Sequence, residues 1–300
     1  MARMNSLRAS PALTPVAGAV LALLAACRSD ALGVGSGAVP GIDGLFAADP
    51  VWHDGRAEKA VYAASDEIYG RERSYEATCY TNLEHVDTRT TVKRESGGLA
   101  VLKHHWSERV PTENYDYDYS VSSYLRADGL APFKLSVGTQ EDCGASFKQL
   151  WPAPQGGWRW LESVYFPDGG LREGRLPAAP GMALFDALPC LLRAYPFDAP
   201  REIALRLLPS QRSPRRCEWD PIEARVVYGG RERVEVGLGE LEAHRLDVLD
   251  ADRATLATYW MDVRAAAPWL HVMLASSGPG ARTSALQSLE RTKYWERVPR

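Results

Sequence analysis

The most unusual local string in the chain is Tyr115-Asp116-Tyr117-Asp118-Tyr119. Successive side chains on a strand point to opposite faces, so a strand here puts Tyr115, Tyr117 and Tyr119 on one face and both aspartates on the other. Three tyrosines in a row suit an aromatic platform for a glycan or a lipid. They equally suit a core whose hydroxyls reach its rim. The aspartates, with Glu141 and Asp142, would serve a glycosidase only if two carboxylates faced each other across a bond at a set separation. His104-His105 invites a metal reading, but neighbouring strand residues diverge. The six histidines otherwise show no ligand spacing, so neither a metal nor any other cofactor is expected. Cys143-Gly144-Ala145-Ser146 has a Cys-x-x-Ser pattern that redox folds place at a helix N-terminus, where the thiol pKa falls. Strand-like runs flank it here. The chain has neither a Gly-x-Ser-x-Gly elbow nor a phosphate-binding Gly-x-x-x-x-Gly-Lys loop. No catalytic residue is assigned, and a non-enzymatic protein is expected.

The chemistry with the clearest sequence signal is lipidation. Leu24-Ala25-Ala26-Cys27 closes an apolar run from about Pro15, behind Arg3 and Arg8 and with no acid before position 30. The run is shorter than the roughly 20 apolar residues that span a bilayer. It reads as a bacterial lipobox: residues 1–26 form a signal peptide and Cys27 becomes the lipidated first residue. Several acyl chains on one residue hold firmly where one chain does not. Residue 28 is Arg rather than Asp, which favours the outer membrane, facing the periplasm.

The leader holds two of the 35 Lys and Arg residues and none of the 38 acids, so the remainder carries a net charge near −5. That charge argues against a nucleic-acid partner and against electrostatic binding to anionic lipid. Without Cys27 the cysteines are Cys79, Cys143, Cys190 and Cys217, an even set that an oxidising periplasm would pair. Four cysteines allow three pairings. Cys190 with Cys217 and Cys79 with Cys143 join neighbouring segments and are preferred.

The elements that would position these residues are mostly strands. Residues 27–46 are rich in Gly, Ala and Ser and read as a flexible tether, leaving a single β-rich domain over 47–300. Phe133, Leu135 and Val137 alternate with polar residues, as do Ile203, Leu205 and Leu207, then Val234 and Val236, then Leu246 and Val248. Asp54-Gly55, Asp128-Gly129, Asp168-Gly169 and Gly229-Gly230 are turn dipeptides that tolerate positive φ. Residues 182–194 form the best helix candidate, with Pro189 set to kink it. Residues 210–216, ending Ser213-Pro214-Arg215-Arg216, read as a basic surface loop.

The order of a leucine-rich helix end, the strand over 201–208, the string Val234-Glu235-Val236-Gly237-Leu238-Gly239-Glu240-Leu241, then Tyr259-Trp260-Met261-Asp262 and a closing strand over 286–295 resembles a family of bacterial periplasmic proteins. The block from Trp52-His53-Asp54-Gly55 to Gln140-Glu141-Asp142-Cys143-Gly144 is similar to the N-terminal half of related envelope proteins. The resemblance implies an architecture like that of the lipoprotein carriers LolA and LolB. It would be mainly β, a curved antiparallel sheet forming an incomplete barrel, with one or a few covering helices. It brings no catalytic residues with it.

The expected function is that of a lipid-anchored envelope protein binding an apolar or amphipathic ligand, such as a lipid or lipoprotein, or an envelope partner. Its groove would lie under the 182–194 segment and be lined by Leu184, Leu188, Leu205, Val236 and Trp260. The alternatives are a structural or assembly lipoprotein with a filled core, and a periplasmic glycan-active enzyme.

Overall fold

The computed structural model describes residues 38–279 and 282–296. The expected signal peptide, the lipid site Cys27 and most of the expected tether lie outside the described residues. The first half contributes β1 (Ala57–Ile68), β2 (Arg71–Val86), the short β3 (Lys93–Arg94), β4 (Leu99–Val110), β5 (Tyr117–Arg126), β6 (Pro132–Glu141), β7 (Gly144–Pro152), β8 (Trp158–Val164) and β9 (Gly170–Leu176). The second half contributes β10 (Met182–Leu184), β11 (Ile203–Leu208), β12 (Ile222–Val236), β13 (Gly239–Asp250), β14 (Thr255–Asp262), β15 (Met273–Ser277) and β16 (Thr283–Thr292).

All sixteen strands belong to one sheet, in the order β10-β11-β12-β13-β14-β15-β16-β1-β2-β4-β5-β6-β7-β8-β9, with β3 attached to β2. Neighbours are antiparallel except β10 and β11. Strongly twisted sheets of more than about 10 strands curl. This one curls until β10 comes against β6, without β9 and β10 pairing to close a barrel. The fold is the mainly β, curved, incompletely closed sheet expected. Among the described residues no helix is long and apolar enough to cross a membrane.

The alternation that marked the strands also sorts their faces. On β4, Leu102, His104, Trp106, Glu108 and Val110 are buried; on β1, Ala60, Tyr62, Ala64, Asp66 and Ile68 are buried. The inward rows share one core, and the segment after β9 lies within it.

That segment is not the helix expected over 182–194. Met182–Leu184 is β10, Phe185–Ala187 and Leu192–Ala194 are 3₁₀ turns, and only Leu188–Leu191 is α-helical, hereafter α1. Pro189 sits in the first turn of α1, where its missing N–H costs nothing; a longer helix running through it would lose a backbone bond. Leu184, Leu188, Leu191 and Leu192 are fully buried, each contributing roughly 1.5–3 kcal/mol of burial as an upper bound. Arg193 staples the segment to β1. Its guanidinium grips Glu58 bidentately at 2.6 and 2.9 Å, donates to the carbonyls of Leu270 (2.9 Å) and Trp269 (3.0 Å), and lies over the rings of Phe46 and Trp52.

Two further differences follow from local geometry. Gly229-Gly230 closes no hairpin. It is a bulge inside β12, where the register shifts between Tyr228 and Gly230 and Gly230 takes φ +98°. The hairpin turn is Gly237-Leu238, with Val236 opposite Gly239. The packed chain also starts earlier than the expected tether boundary. Val39 and Ile42 are buried, the Asp43 N–H donates to the Ala194 carbonyl at 2.8 Å, and Gly129 leaves room for Ala38, whose Cα would stand 2.9 Å from a Cβ there. Composition marked these residues as coil; two apolar side chains with a core to enter decide otherwise.

Candidate functional site

A cavity of about 450 Å³ opens on the inner side of the sheet, within the size range of small-molecule sites. Strands β1, β4, β5, β14, β15 and β16 form its wall. The turn before α1 and the loop after β11 close it from the opposite side. Trp106, Val121, Phe185, Pro189 and Met273 give it an apolar surface. Arg212, Arg215, Arg282, Asp66, Asp186 and Tyr259 give it a polar end.

Behind the polar end lies a buried ionic network centred on Glu108. Its carboxylate accepts from Arg212 Nε, from Arg282 Nη2, and from Trp106 Nε1 at 2.5 Å. Arg212 also donates to Asp66 Oδ2 (2.8 Å) and the Tyr75 hydroxyl (3.1 Å), with its guanidinium 5.0 Å from the centre of the Tyr119 ring. Burial works to raise the Glu108 pKa, but the two guanidiniums and the indole N–H outweigh it and hold the carboxyl below its ordinary range. Asp66 comes out the other way: burial raises its pKa by more than Arg212 and Arg282 lower it. Asp186 is likewise raised by burial, although the Ser210 hydroxyl (2.5 Å) and the Gln211 N–H (2.8 Å) both donate to it.

The tyrosine string runs up to this cavity. Tyr115 precedes β5 and Tyr117 and Tyr119 lie on it; successive ring centres are 5.5 and 6.3 Å apart, and Tyr69 joins the row 5.9 Å from Tyr117. The structure thus brings the three expected tyrosines together. Of the row, Tyr119 and Tyr69 line the cavity. Both hydroxyls donate to the buried Glu141, Tyr119 at 2.9 Å and Tyr69 at 3.1 Å, and burial beside that carboxylate raises both phenol pKa values. The neighbouring Cys143 thiol, more than burial, pushes the Tyr115 phenol up to about 12. The aspartates play no part in the row: Asp116 pairs with Arg109 at 2.7 Å.

The five residues expected to line a groove are placed differently. Leu184, Leu188, Leu205 and Val236 are buried members of the core, and Trp260 packs against it. None of the five lines the cavity; the same segment offers it Phe185, Asp186 and Pro189 instead. Leu205 borders a separate recess along β11 and β12, where the charges are already paired, Arg206 with Glu223 and Arg225 with Glu202.

The expected disulfides do not form. Cys79, Cys143, Cys190 and Cys217 are all free. Cys79 on β2 and the β6–β7 turn carrying Cys143 are three inter-strand steps apart, roughly 14 Å along the sheet, against the ~7 Å limit between bridged Cα atoms. Cys190 is enclosed in the apolar core on α1, while Cys217 faces the buried Lys148, with Sγ 2.8 Å from Nζ. His104 and His105 diverge as strand neighbours must, His104 bonding Thr81 and His105 bonding Ser122.

The loop read as a basic surface segment is instead the cavity's inner lid. Gln211 is fully buried, and Arg212 reaches the Glu108 carboxylate. Reading the sequence missed Arg212, Glu108, Asp66 and Tyr259, and a usable signal exists for the acids. Asp66 and Glu108 stand at inward positions of rows that are mostly apolar, Glu58 on β1 and His104 on β4 apart, and Glu141 holds the same place after Leu135, Val137 and Thr139 on β6. Charges in the inward phase of a strand require partners from elsewhere in the fold.

No family model matches the chain, and no curated protein matches it. Among solved structures it is similar to a beta-barrel-like protein of domain of unknown function DUF1849 from Brucella abortus, at 11% identity and a TM-score of 0.44, covering 79% of this chain and 98% of that one. At that TM-score the likeness carries nothing further about this chain.

Proposed function

We propose that this chain is a non-enzymatic binding protein of the bacterial cell envelope, anchored at the outer membrane through a lipidated Cys27 and facing the periplasm. Its cavity holds an amphipathic small molecule. The observation that carries the reading is the cavity itself: an opening of about 450 Å³ with aromatic and aliphatic walls on one side and a cluster of fixed charges on the other. A structural protein would fill such a space, since interiors pack to the density of organic crystals. Here Arg212, Glu108 and Asp66 are held by one another rather than by an apolar filling, which keeps the polar end rigid without a ligand. The roles of carrier and of receptor both use this arrangement. A scaffold role is favoured by a different observation, the close packing of Leu184, Leu188 and Leu192 in the core.

Native mass spectrometry on protein purified from its own host separates the two. A binding protein carries an amphiphile of defined mass that delipidation removes and added lipid restores. Protein that comes out empty and takes up no amphiphile is a scaffold.

A further inference from the structure

The polar end of the cavity has more hydrogen-bond donors than the protein itself uses. Tyr259 on β14 lines the cavity and is only 4% exposed, yet among the described residues its hydroxyl has no hydrogen-bond partner. The hydroxyl is not one of the fully enclosed unpaired atoms, so it opens on to the cavity, where a ligand oxygen can accept from it. Arg282 stands beside it. Among the described residues its only side-chain hydrogen bond runs from Nη2 to Glu108, which leaves the rest of its donor fork unused. Arg215 enters from the lid loop. Its guanidinium stacks over Tyr69 and Phe166, and among the described residues no carboxylate lies within ion-pair distance. Ser276, opposite Tyr259 across β14–β15, and Ser284 on β16 complete this corner, bonded to each other at 2.7 Å.

Arg212 is held by Glu108 and Asp66, and Arg282 by Glu108; Glu67 also lines the cavity, so its charges show no positive excess, and Arg215 is the lining arginine without an ion-pair partner among the described residues. The remaining acid facing the cavity from the lid, Asp186, already accepts two hydrogen bonds. Spare N–H and O–H donors gathered at one corner, two of them guanidinium forks, select an oxyanion, since such forks fit phosphate and carboxylate oxygens in particular.

We infer that the Tyr259–Arg282–Arg215 corner is the recognition site for a phosphate-type oxyanion, with Trp106, Phe185 and Met273 receiving the apolar part of the same molecule. This rests on the cavity being a ligand site. The oxyanion has two possible sources, the head of an amphiphile or a free anion, and a test can distinguish them.

The full chain, held in an amphipathic polymer rather than detergent, is titrated calorimetrically with decyl phosphate, decanol and inorganic phosphate. The expected result is that decyl phosphate binds at least about tenfold more tightly than decanol, the scale of one or two hydrogen bonds to a charged group. Tyr259→Phe and Arg215→Gln should each remove about tenfold of that difference and leave decanol unchanged. Arg215 is exposed, so its variant keeps the test valid even if Tyr259→Phe unfolds. Inorganic phosphate binding as tightly as decyl phosphate keeps the oxyanion site but makes its ligand a free anion. Equal affinity for decyl phosphate and decanol overturns the oxyanion site and leaves the binding function standing. If none of the three binds, both fall.

Discussion

Replacing Glu108 with Gln changes one buried carboxylate and almost no volume, so its effect isolates the charge. In the folded protein that carboxylate is enclosed and accepts from Arg212, Arg282 and Trp106. With Gln in its place, one oxygen still accepts, but two guanidiniums face a single remaining acid, Asp66. Removing one partner from a buried ionic group costs about 3–5 kcal/mol. Gln retains part of the hydrogen bonding, so the lower end, about 3 kcal/mol, is expected. A chain of this size loses roughly 2–4 °C in Tm per kcal/mol, which gives a drop of about 6–12 °C at pH 7. The sign with pH follows from the depressed pKa. The contribution of Glu108 is present above its ordinary value of 4.5 and is lost as pH falls through its lower folded value. The gap between wild type and Glu108→Gln should therefore narrow on acidification below 4.5. Asp66→Asn is the control. The pKa of Asp66 is raised by burial, so its ionised form contributes less, and Arg212 keeps Glu108; its cost should be under half that of Glu108→Gln. Thermal unfolding followed by near-ultraviolet circular dichroism reads all three proteins. A Tm change under about 2 °C for Glu108→Gln, or an equal cost for Asp66→Asn, would refute the network as described.

Three further outcomes follow from the structure. Arg193→Met leaves Glu58 charged and buried and should cost about 3–5 kcal/mol, whereas Arg193→Met with Glu58→Leu should recover most of it; a double variant as unstable as the single, in urea unfolding, would show that Arg193 acts through Trp269 and Leu270 instead. In native, unreduced protein Cys143 should alkylate quickly, while Cys79 and Cys190 should react only after unfolding and need no reductant; a requirement for reductant would restore the disulfides. Burial depresses the imidazole pKa of His104 to about 3 and of His244 to about 4, so both rings should keep neutral-form NMR shifts at pH 5. A midpoint near 6.5 for either would mean that the ring is solvated.

The sequence by itself determined the strands, because period-two alternation is a local property of the chain. Phe133 to Val137, Ile203 to Leu207 and Leu246 to Val248 all lie on the strands their spacing predicts. It also determined that Tyr115, Tyr117 and Tyr119 would share a face and that His104 and His105 would not. Tertiary structure alone decided where the inward faces meet. Residues 182–194 carry an apolar composition that suits a helix, but Pro189 fits only the first turn of one, so no helix runs through the segment. The pairing of β10 with β11, which sequence spacing does not encode, claims the beginning. Residues 210–216 look like solvent-exposed coil until β1 and β4 place Asp66 and Glu108 where an arginine must answer them. The same holds for the cysteines, whose pairing depends on distances across a curled sheet rather than along the chain. The cavity is the clearest case. Its lining comes from six strands and four connecting segments, and its residues lie as much as 218 positions apart, from Asp66 to Ser284, so no window of sequence contains it.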